Sequence, residues 1–473
     1  MMPNLRAPLA LLLMVAACSA PAADDSASEA SHIESTSCSS SPLFAKIAAR
    51  ARGAAGAGFV PASLMVTQHN TASLDVLIGG QPIFNAVADL IASAEHEVEL
   101  QTWRWDVNSD PSVRVLGGLK RLEARRRSAG ATTPVVVRLL VNRVSPALTD
   151  TVTNIYRQID AQALDPKLVD VQLVDFLASG LLGANHAKTV VVDGNRALVM
   201  GANVTSDYGK DPDMWDAGFP MTGEVAQAIH ADFARMWSGG QLWRCGTAME
   251  PQKTPDSPTN DCWQKPAPAT ASAVVDAPGT CTPMLVATHP QNGAPFPWSN
   301  NDNPQAQVFL GGVELAEKMV RIQSPNLNEG AIKTAIVAAA RRGVTVQLIL
   351  SKKFEETGES FPGRGGGNEA TVAELYKTLS DLPNACETLQ VHWYSKDGTQ
   401  AVEGTRPPAS HVKYMSIDGQ VVVVGSSNQD VQSWRNSHEV NVATDSADVT
   451  RAWDTNLFGK AWARSIVVDE CKR

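Results

Sequence analysis

The sequence lacks three features that would each indicate a class of protein: long hydrophobic runs, clustered cysteines and an excess of basic residues. Its hydrophobic runs, including the apolar stretch at residues 9–17, are all too short to cross a bilayer. Its seven cysteines form no CxxC pair and no cluster with histidine, which argues against a zinc site. Basic residues are outnumbered, because 40 Lys and Arg stand against 49 Asp and Glu, a net charge of −9. This balance argues against a non-specific nuclease, since such enzymes usually present broad basic surfaces.

The most informative feature that is present is a polar pattern that occurs twice. In both copies a lysine follows a histidine by two residues, an aspartate follows it by seven and an asparagine by seventeen. The first copy consists of His186, Lys188, Asp193 and Asn203, and the second of His411, Lys413, Asp418 and Asn428. Two such matches among nine histidines are far more than chance produces, so the pattern indicates a function rather than composition.

The spacing predicts a β-hairpin in each copy. Residues at positions i and i+2 of a strand project from the same face, so His186 and Lys188 lie side by side. Asp193-Gly194 and Asp418-Gly419 are the dipeptides preferred in tight hairpin turns, and the return strand brings each asparagine back toward its histidine. Two such patches supply lysine charge and amide donors to a phosphate without a metal. The aspartates belong to the other face and the turn, which predicts a scaffold role.

The doubled H-x-K-x4-D pattern with its downstream glycine and asparagine resembles the phospholipase D superfamily. The resemblance covers roughly residues 75–240 and 303–465, because three further segments also repeat: 95–101 with 317–323, 135–141 with 344–350, and 171–175 with 391–395. It implies an α/β fold of two homologous lobes. Each lobe is a mixed β-sheet flanked by helices, and a pseudo-twofold axis passes through one shared active site.

The resemblance also implies a chemistry, the transfer of a phosphodiester group through a covalent phosphohistidine. His186 is expected to attack phosphorus and His411 to act as acid and base. The non-bridging oxygens are expected to be held by Lys188, Lys413, Asn203 and Asn428. No cofactor and no metal are expected.

Members of this superfamily carry an acid about thirty residues after each motif histidine, where it orients the imidazole ring. Here Asp216 and Glu439 are the candidates, although Asp211 and Asp213 stand close to the first of them. Gly201, Gly425 and Ser426 complete the scaffold of the two motifs. Met200 replaces a glycine that the family usually has, so Gly201 alone is expected to let the backbone approach a phosphate.

The ends and the cysteines predict an exported protein of five segments. These are a signal peptide (1–18), a disordered tether (19–60), the N-terminal lobe (61–238), a Pro/Thr-rich linker with cysteines (239–302) and the C-terminal lobe (303–473). Cys18 fits the lipid-bearing position of a bacterial lipoprotein, and cleavage among the alanines at 20–23 is the alternative. The other six cysteines allow up to three disulfides, with Cys245–Cys262 as a local pair.

Together these observations predict a monomeric enzyme of the cell envelope or the secreted fraction. It is expected to hydrolyse glycerophospholipids at a membrane surface to phosphatidic acid and the head-group alcohol, with head-group exchange when an alcohol replaces water. Trp215 and Trp434 are candidates for contact with acyl chains. The alternatives are a metal-independent endonuclease and a cardiolipin-synthase-like phosphatidyltransferase. No nucleic acid partner is expected, and the transferase is disfavoured because such enzymes usually carry membrane-spanning helices.

Overall fold

The computed structural model describes residues 38–56, 59–142, 152–177, 182–209, 211–243, 263–270, 280–292 and 301–468. The first group of strands is β1 (Val66–Ala72), β2 (Leu77–Ile78), β3 (Glu97–Thr102), β4 (Val135–Asn142), β5 (Val169–Phe176), β6 (Ala184–Asn185), β7 (Thr189–Val192), β8 (Arg196–Met200), β9 (Ala217–Gly223), β10 (Gln241–Trp243) and β11 (Trp263–Gln264). The second group is β12 (Cys281–His289), β13 (Met319–Ser324), β14 (Thr345–Leu350), β15 (Leu389–Trp393), β16 (Tyr414–Ile417), β17 (Val421–Gly425), β18 (Ser437–Asp445) and β19 (Ile466–Val467).

The helices lie between and beside these strands. They are α1 (Pro42–Gly53), α2 (Ala62–Met65), α3 (Gly80–Ala92), α4 (Asp110–Ser128), α5 (Val152–Asp160), α6 (Glu224–Ser238), α7 (Pro304–Leu315), α8 (Gly330–Arg341), α9 (Glu356–Glu359), α10 (Asn368–Thr378), α11 (Ala385–Thr388), α12 (Val431–Arg435), α13 (Ala447–Trp453) and α14 (Lys460–Trp462), with a π-helical turn at Asp454–Gly459. Several begin where polar side chains accept the first free N–H groups, as Ser109 does for α4 and Asn303 for α7.

The two halves contain sheets of the same strand order. In the first half the order is β5–β4–β3–β7–β8–β9, in which β5, β4 and β3 are parallel and the later pairings antiparallel. In the second half β15–β14–β13–β16–β17–β18 repeats this arrangement. Strands such as β17 are buried along their whole length, because helices cover the sheets, and this explains their runs of valine. The predicted α/β fold with two similar mixed sheets is confirmed.

Strands β1 and β12 join the two sheets. The first part of β1 pairs with β12, and its last three residues pair with β9 of the first half. Strand β12 pairs in turn with β18 of the second half over six residues. The segment 239–302, which the sequence suggests is a linker, therefore contributes a central strand. Its apolar run at 284–287 is fully buried and accounts for this placement.

The N-terminal part of the chain also differs from the prediction, because helix α1 lies within the expected tether. Phe44 and Ile47 are fully buried, and Arg50 donates from Nε to Oε1 of Gln307 on α7 (3.1 Å). The segment is rich in Ser and Ala, so its composition alone does not indicate an amphipathic helix. A disulfide joins Cys38 to Cys281. The expected pair Cys245–Cys262, the signal segment and Cys18 lie outside the described residues. Within the described ranges no helix has both the length and the apolar composition needed to cross a membrane.

The two motif aspartates lie in the hairpin turns. Asp193 and Asp418 have positive φ values of 51° and 53°, and the glycines after them have φ values of 64° and 69°. The Asp193 carboxylate accepts the backbone N–H groups of residues 95–97, at the start of β3. The Asp418 carboxylate does the same for residues 317–319, at the start of β13. Each aspartate thus ties a hairpin to the neighbouring parallel strand and lies away from the histidines.

Candidate active site

The two motif histidines lie at the contact between the halves, and equivalent hydrogen bonds hold their backbones. The N–H of His186 donates to the carbonyl oxygen of His438 (2.9 Å), on strand β18 of the second half. The N–H of His411 donates to the carbonyl oxygen of Trp215 (2.8 Å), just before β9 of the first half. The backbone of each histidine is therefore hydrogen-bonded to the opposite half.

The side chains cross between the halves in the same way. Nδ1 of His186 lies 2.8 Å from Oε1 of Glu439, and Nδ1 of His411 lies 2.9 Å from Oδ2 of Asp216. Both carboxylates are fully buried, so these contacts are made without competing water. Sequence spacing singles out both acids but does not reveal that each serves the histidine of the other copy. In each ring Nε2 is the nitrogen that remains for a substrate.

The structure also separates Asp216 from the two nearby aspartates. The carboxylate of Asp211 is almost fully exposed and pairs with Lys396. Asp213 accepts the backbone N–H groups of Gly80 and Gly209. Asp216 is the one that contacts His411.

The two carboxylates each accept a hydroxyl hydrogen bond, but from unrelated sequence positions. Ser426 donates from Oγ to Oε2 of Glu439 (2.5 Å). In the first copy the corresponding position is Gly201, and Tyr208 donates instead from its hydroxyl to Oδ2 of Asp216 (2.8 Å). Burial, together with the Asp216 charge, raises the pKa of Tyr208 well above its usual value, so its hydroxyl remains a donor. At the same offset the second copy has Ser433, so the tyrosine itself is not repeated and sequence reasoning misses it.

The two motif lysines are buried beside the histidines. Lys188 donates from Nζ to the main-chain oxygen of His186 (2.5 Å), and Lys413 donates to that of His411 (2.6 Å). Burial lowers the pKa of Lys188 to about 7 and that of Lys413 to about 8. Burial and the nearby lysine charge also lower the pKa of His411 to about 4 and that of His186 well below its usual value. Near neutral pH both imidazoles are therefore neutral and both lysines partly charged.

The motif asparagines complete the polar wall of the site. The side-chain oxygens of Asn203 and Asn428 are buried and have no hydrogen-bond partner in the part of the chain that the structure describes. Asn428 donates one amide hydrogen to Oδ2 of Asp430 (3.0 Å) and retains a second. Both side chains thus keep polar capacity that a bound group could use.

A cavity of about 260 Å³ opens beside His411 and Asn203. Its aromatic wall includes Trp103, Tyr208 and Phe354. The ring of Phe354 stacks on His411 (5.9 Å between centroids), and Trp103 approaches His186 edge-on (5.2 Å). The two rings cover one side of each imidazole, and neither is marked by the repeated pattern.

Two expectations about neighbouring residues are wrong. Trp434 is fully buried and stacks on Phe309, so it has no exposed face for an acyl chain. Gly201 does not provide room for a phosphate, because a Cβ atom there would lie 2.1 Å from Oδ1 of Asp216. The absence of a side chain at residue 201 instead lets the buried carboxylate reach His411.

We expect Gly201→Ala to impair both activity and stability. The added methyl group must displace Asp216 from His411, and overpacking of this kind costs about 1–3 kcal/mol. Urea unfolding and steady-state kinetics will measure the two effects. Gly117→Ala, in α4, is the matched control because a Cβ atom there meets nothing within 4 Å. Equal activity of the two variants would show that the Asp216 position tolerates movement.

We also expect the site to lose affinity for anions as the pH rises past neutrality. Because the pKa values of Lys188 and Lys413 are lowered to about 7 and about 8, both ammonium groups lose their charge within the range 6.5–9. Sulfate keeps its charge over this range, so its dissociation constant should increase by about tenfold or more. Titration calorimetry of wild type and Lys188→Met will test this. The variant should bind weakly already at pH 6.5, and a pH-independent wild-type affinity would contradict the expectation.

The chain is similar to known proteins both in sequence and in structure. A family model described as "Cardiolipin synthase, PLD-like domain" matches residues 313–462. The "Probable cardiolipin synthase YwiE" of Bacillus subtilis is 25% identical over 280 residues, which are 58% of this chain and 45% of that protein. The cardiolipin synthase of Geobacillus kaustophilus is 22% identical over 378 residues, 77% of this chain and 61% of that protein. The chain thus spans about half to three fifths of the length of these curated relatives.

Among solved structures, the phosphatidylserine synthase of Haemophilus influenzae superposes with a TM-score of 0.57 at 13% identity. The superposition covers 86% of this chain and 90% of that protein. At this low identity the superposition shows a shared fold alone. The shared fold includes both halves of the chain, whereas the family model matches only residues 313–462.

Proposed function

We propose that this chain, a member of the phospholipase D superfamily, transfers a phosphatidyl group from a glycerophospholipid to an alcohol through a phosphohistidine. The observation that carries the proposal is the pair of crossed histidine–carboxylate contacts, His186 with Glu439 and His411 with Asp216. Two imidazoles whose Nδ1 atoms are each held by a buried carboxylate keep Nε2 for chemistry and can act in turn as nucleophile and as acid and base.

In the first step Nε2 of His186 attacks phosphorus, and a P–N bond forms as the bond to the head-group oxygen breaks. His411 gives the proton on its Nε2 to that oxygen, so the head group leaves as an alcohol. Burial lowers the pKa of His411 to about 4, so it must gain this proton as the anionic phosphodiester binds. Glu439 and Asp216 balance the positive charge that each ring carries in turn.

In the second step His411 removes a proton through Nε2 from the acceptor hydroxyl. The acceptor oxygen attacks phosphorus, the P–N bond breaks and His186 is regenerated. Lys188 and Lys413 neutralise the non-bridging oxygens while negative charge accumulates on them. Water as acceptor gives hydrolysis, and an alcohol gives transfer.

Two considerations support an alcohol as the acceptor. The sequence alone favours hydrolysis, but the curated relatives are named for synthesis of a phospholipid, and their names support transfer. The cavity beside His411 also combines aromatic rings, which can contact the carbon atoms of an alcohol, with Arg104 and Glu355, which can hydrogen-bond its hydroxyl groups. The acidic net charge remains an argument against a nuclease.

The test is an incubation of the purified chain with phosphatidylglycerol vesicles, which offer both a phosphatidyl donor and a hydroxyl acceptor. Cardiolipin and free glycerol are the expected products, and His186→Ala should form neither. If phosphatidic acid were the main lipid product, the reaction would be hydrolysis and not transfer. Nicking of plasmid DNA without a lipid product would point to the nuclease. A chelator added to the vesicle assay should leave turnover intact, because lysine and asparagine supply the charge and donors.

We further propose that the protein works in an oxidising compartment, as an exported lipoprotein anchored through Cys18. The Cys38–Cys281 disulfide supports the compartment, because such bonds persist outside the reducing cytosol. Mass spectrometry of the native protein should find a lipid-modified Cys18 at the mature N-terminus. A mature N-terminus beyond residue 20 would exclude the anchor.

A further inference from the structure

A second histidine–carboxylate pair is buried where the halves meet, outside the proposed reaction. His438 of β18 and Asp232 of α6 are both fully buried, and Nε2 of the ring lies 2.9 Å from Oδ2 of the carboxylate. Nδ1 of the same ring lies 2.9 Å from the main-chain oxygen of His289, on β12. These two nearest partners, each at 2.9 Å, can only accept, so the ring nitrogens donate to them. His438 is therefore an imidazolium ion held between three elements.

Charged groups of both signs lie around this ring. Arg235, one turn along α6, donates to the other oxygen of Asp232 (2.7 Å) and lies 3.5 Å from Nδ1 of His438. Burial acts to raise the pKa of Asp232, but His438 and Arg235 together lower it to about 2. The imidazole of His289 is turned away and contacts the Ser437 carbonyl oxygen through Nδ1 (2.7 Å). Glu439 is the remaining carboxylate nearby.

His438 is connected to the reaction centre through its own backbone. Its carbonyl oxygen accepts the N–H of His186, and the next residue, Glu439, binds the His186 ring. Two consecutive residues of β18 thus hold the main chain and the ring of the proposed nucleophile. In the other half Trp215 occupies the equivalent place before Asp216, and its ring packs against the Arg464 guanidinium (3.9 Å). A buried ion pair therefore supports His186 where an indole supports His411.

We propose that Asp232 and His438 are positioning residues of the reaction. Their ion pair fixes β18 of the second half to α6 of the first, and the imidazolium keeps Glu439 ionised so that it can stabilise charge on His186. The inference rests on the proposed function only in its use of His186 as nucleophile. Burial raises the pKa of Glu439 to about 7, and the His438 charge is among the groups that oppose this rise. Removing that cation leaves a larger fraction of Glu439 protonated at neutral pH.

The variants His438→Gln and Asp232→Asn test the proposal with a soluble 4-nitrophenyl phosphodiester as substrate. The matched control is His230→Gln, which removes another buried histidine of the same helix, one paired with Glu99 (2.9 Å) away from the reaction centre. Both test variants should lose kcat by about tenfold or more with KM nearly unchanged, and the acidic limb of kcat/KM should move up by about one pH unit. The control should keep the wild-type pH profile.

A purely structural role makes a different prediction, namely activity that falls only in proportion to the folded fraction, with an unmoved acidic limb. That result would overturn the proposal, as would an equal effect of His230→Gln. A measurement on the wild-type protein covers the case in which the variants do not fold. With ¹⁵N-labelled histidine, the hydrogen bonds of His438 predict one ring with a proton on both nitrogens at neutral pH, and its absence would refute the assignment. Because neither readout uses lipid, failure of phosphatidyl transfer on vesicles would be recognised separately.

Discussion

The variant His411→Ala should lose turnover of phospholipid yet still form the covalent intermediate from an activated substrate. Departure of a head-group alcohol needs a proton, and loss of the group that donates it costs about 10²–10⁴-fold in rate. A 4-nitrophenolate leaves without that proton, so attack by His186 should proceed. His186→Ala lacks the nucleophile and should fail with both substrates.

The measurement is a rapid-quench experiment with a 4-nitrophenyl phosphodiester, followed by peptide mapping of the labelled protein. Wild type should release a burst of nitrophenolate and then turn over. His411→Ala should release a burst of similar size, hydrolyse the P–N bond of its phosphohistidine slowly and accumulate label on His186. Label found on His411 of the His186→Ala variant would reverse the assignment of the two roles.

The crossed carboxylates lead to the second prediction, in which each acidic variant should imitate the histidine variant of the opposite half. An amide cannot balance an imidazolium charge or hold the tautomer, and loss of such a carboxylate costs about 10⁴-fold in the serine-protease triad. Asp216→Asn should therefore behave like His411→Ala and retain the nitrophenolate burst. Glu439→Gln should behave like His186→Ala and lose it.

The same rapid-quench assay measures this pattern, and Asp211→Asn is the control because that carboxylate is exposed and pairs with Lys396. It should keep wild-type activity. If Asp216→Asn lost the burst and Glu439→Gln kept it, each carboxylate would serve the histidine of its own half, contrary to the contacts. Both variants should remain folded, since an amide replaces a carboxylate of the same shape.

Local periodicity explains which parts of this molecule could be predicted from the sequence. The hairpin that contains His186 and Asp193 follows from residue spacing and turn chemistry, both of which act over a few residues. The contact between His186 and Glu439 joins residues 253 positions apart and depends on how two sheets meet. No spacing rule contains that information, so the acids could be identified but not paired.

Two other features were hidden for different reasons. Strand β12 lies in a stretch whose Pro, Thr and Asn content indicates a linker, and only its pairing with β1 and β18 makes it part of the sheet. Tyr208 contacts Asp216 because the first copy has Gly201 where the second has Ser426. A substitution that breaks a repeat is itself a signal, and here it marks where a hydroxyl arrives from elsewhere.

The disulfide between Cys38 and Cys281 encloses the entire first half in a covalent ring, because the two cysteines are 243 positions apart. A protease that cuts once anywhere inside this ring cannot release a fragment until the disulfide is reduced. A nicked chain should therefore migrate as one species on a non-reducing gel and as two after reduction. The ring also retains His186 and Asp216 beside their partners after such a cut, so a nicked enzyme can stay active until it meets a reductant.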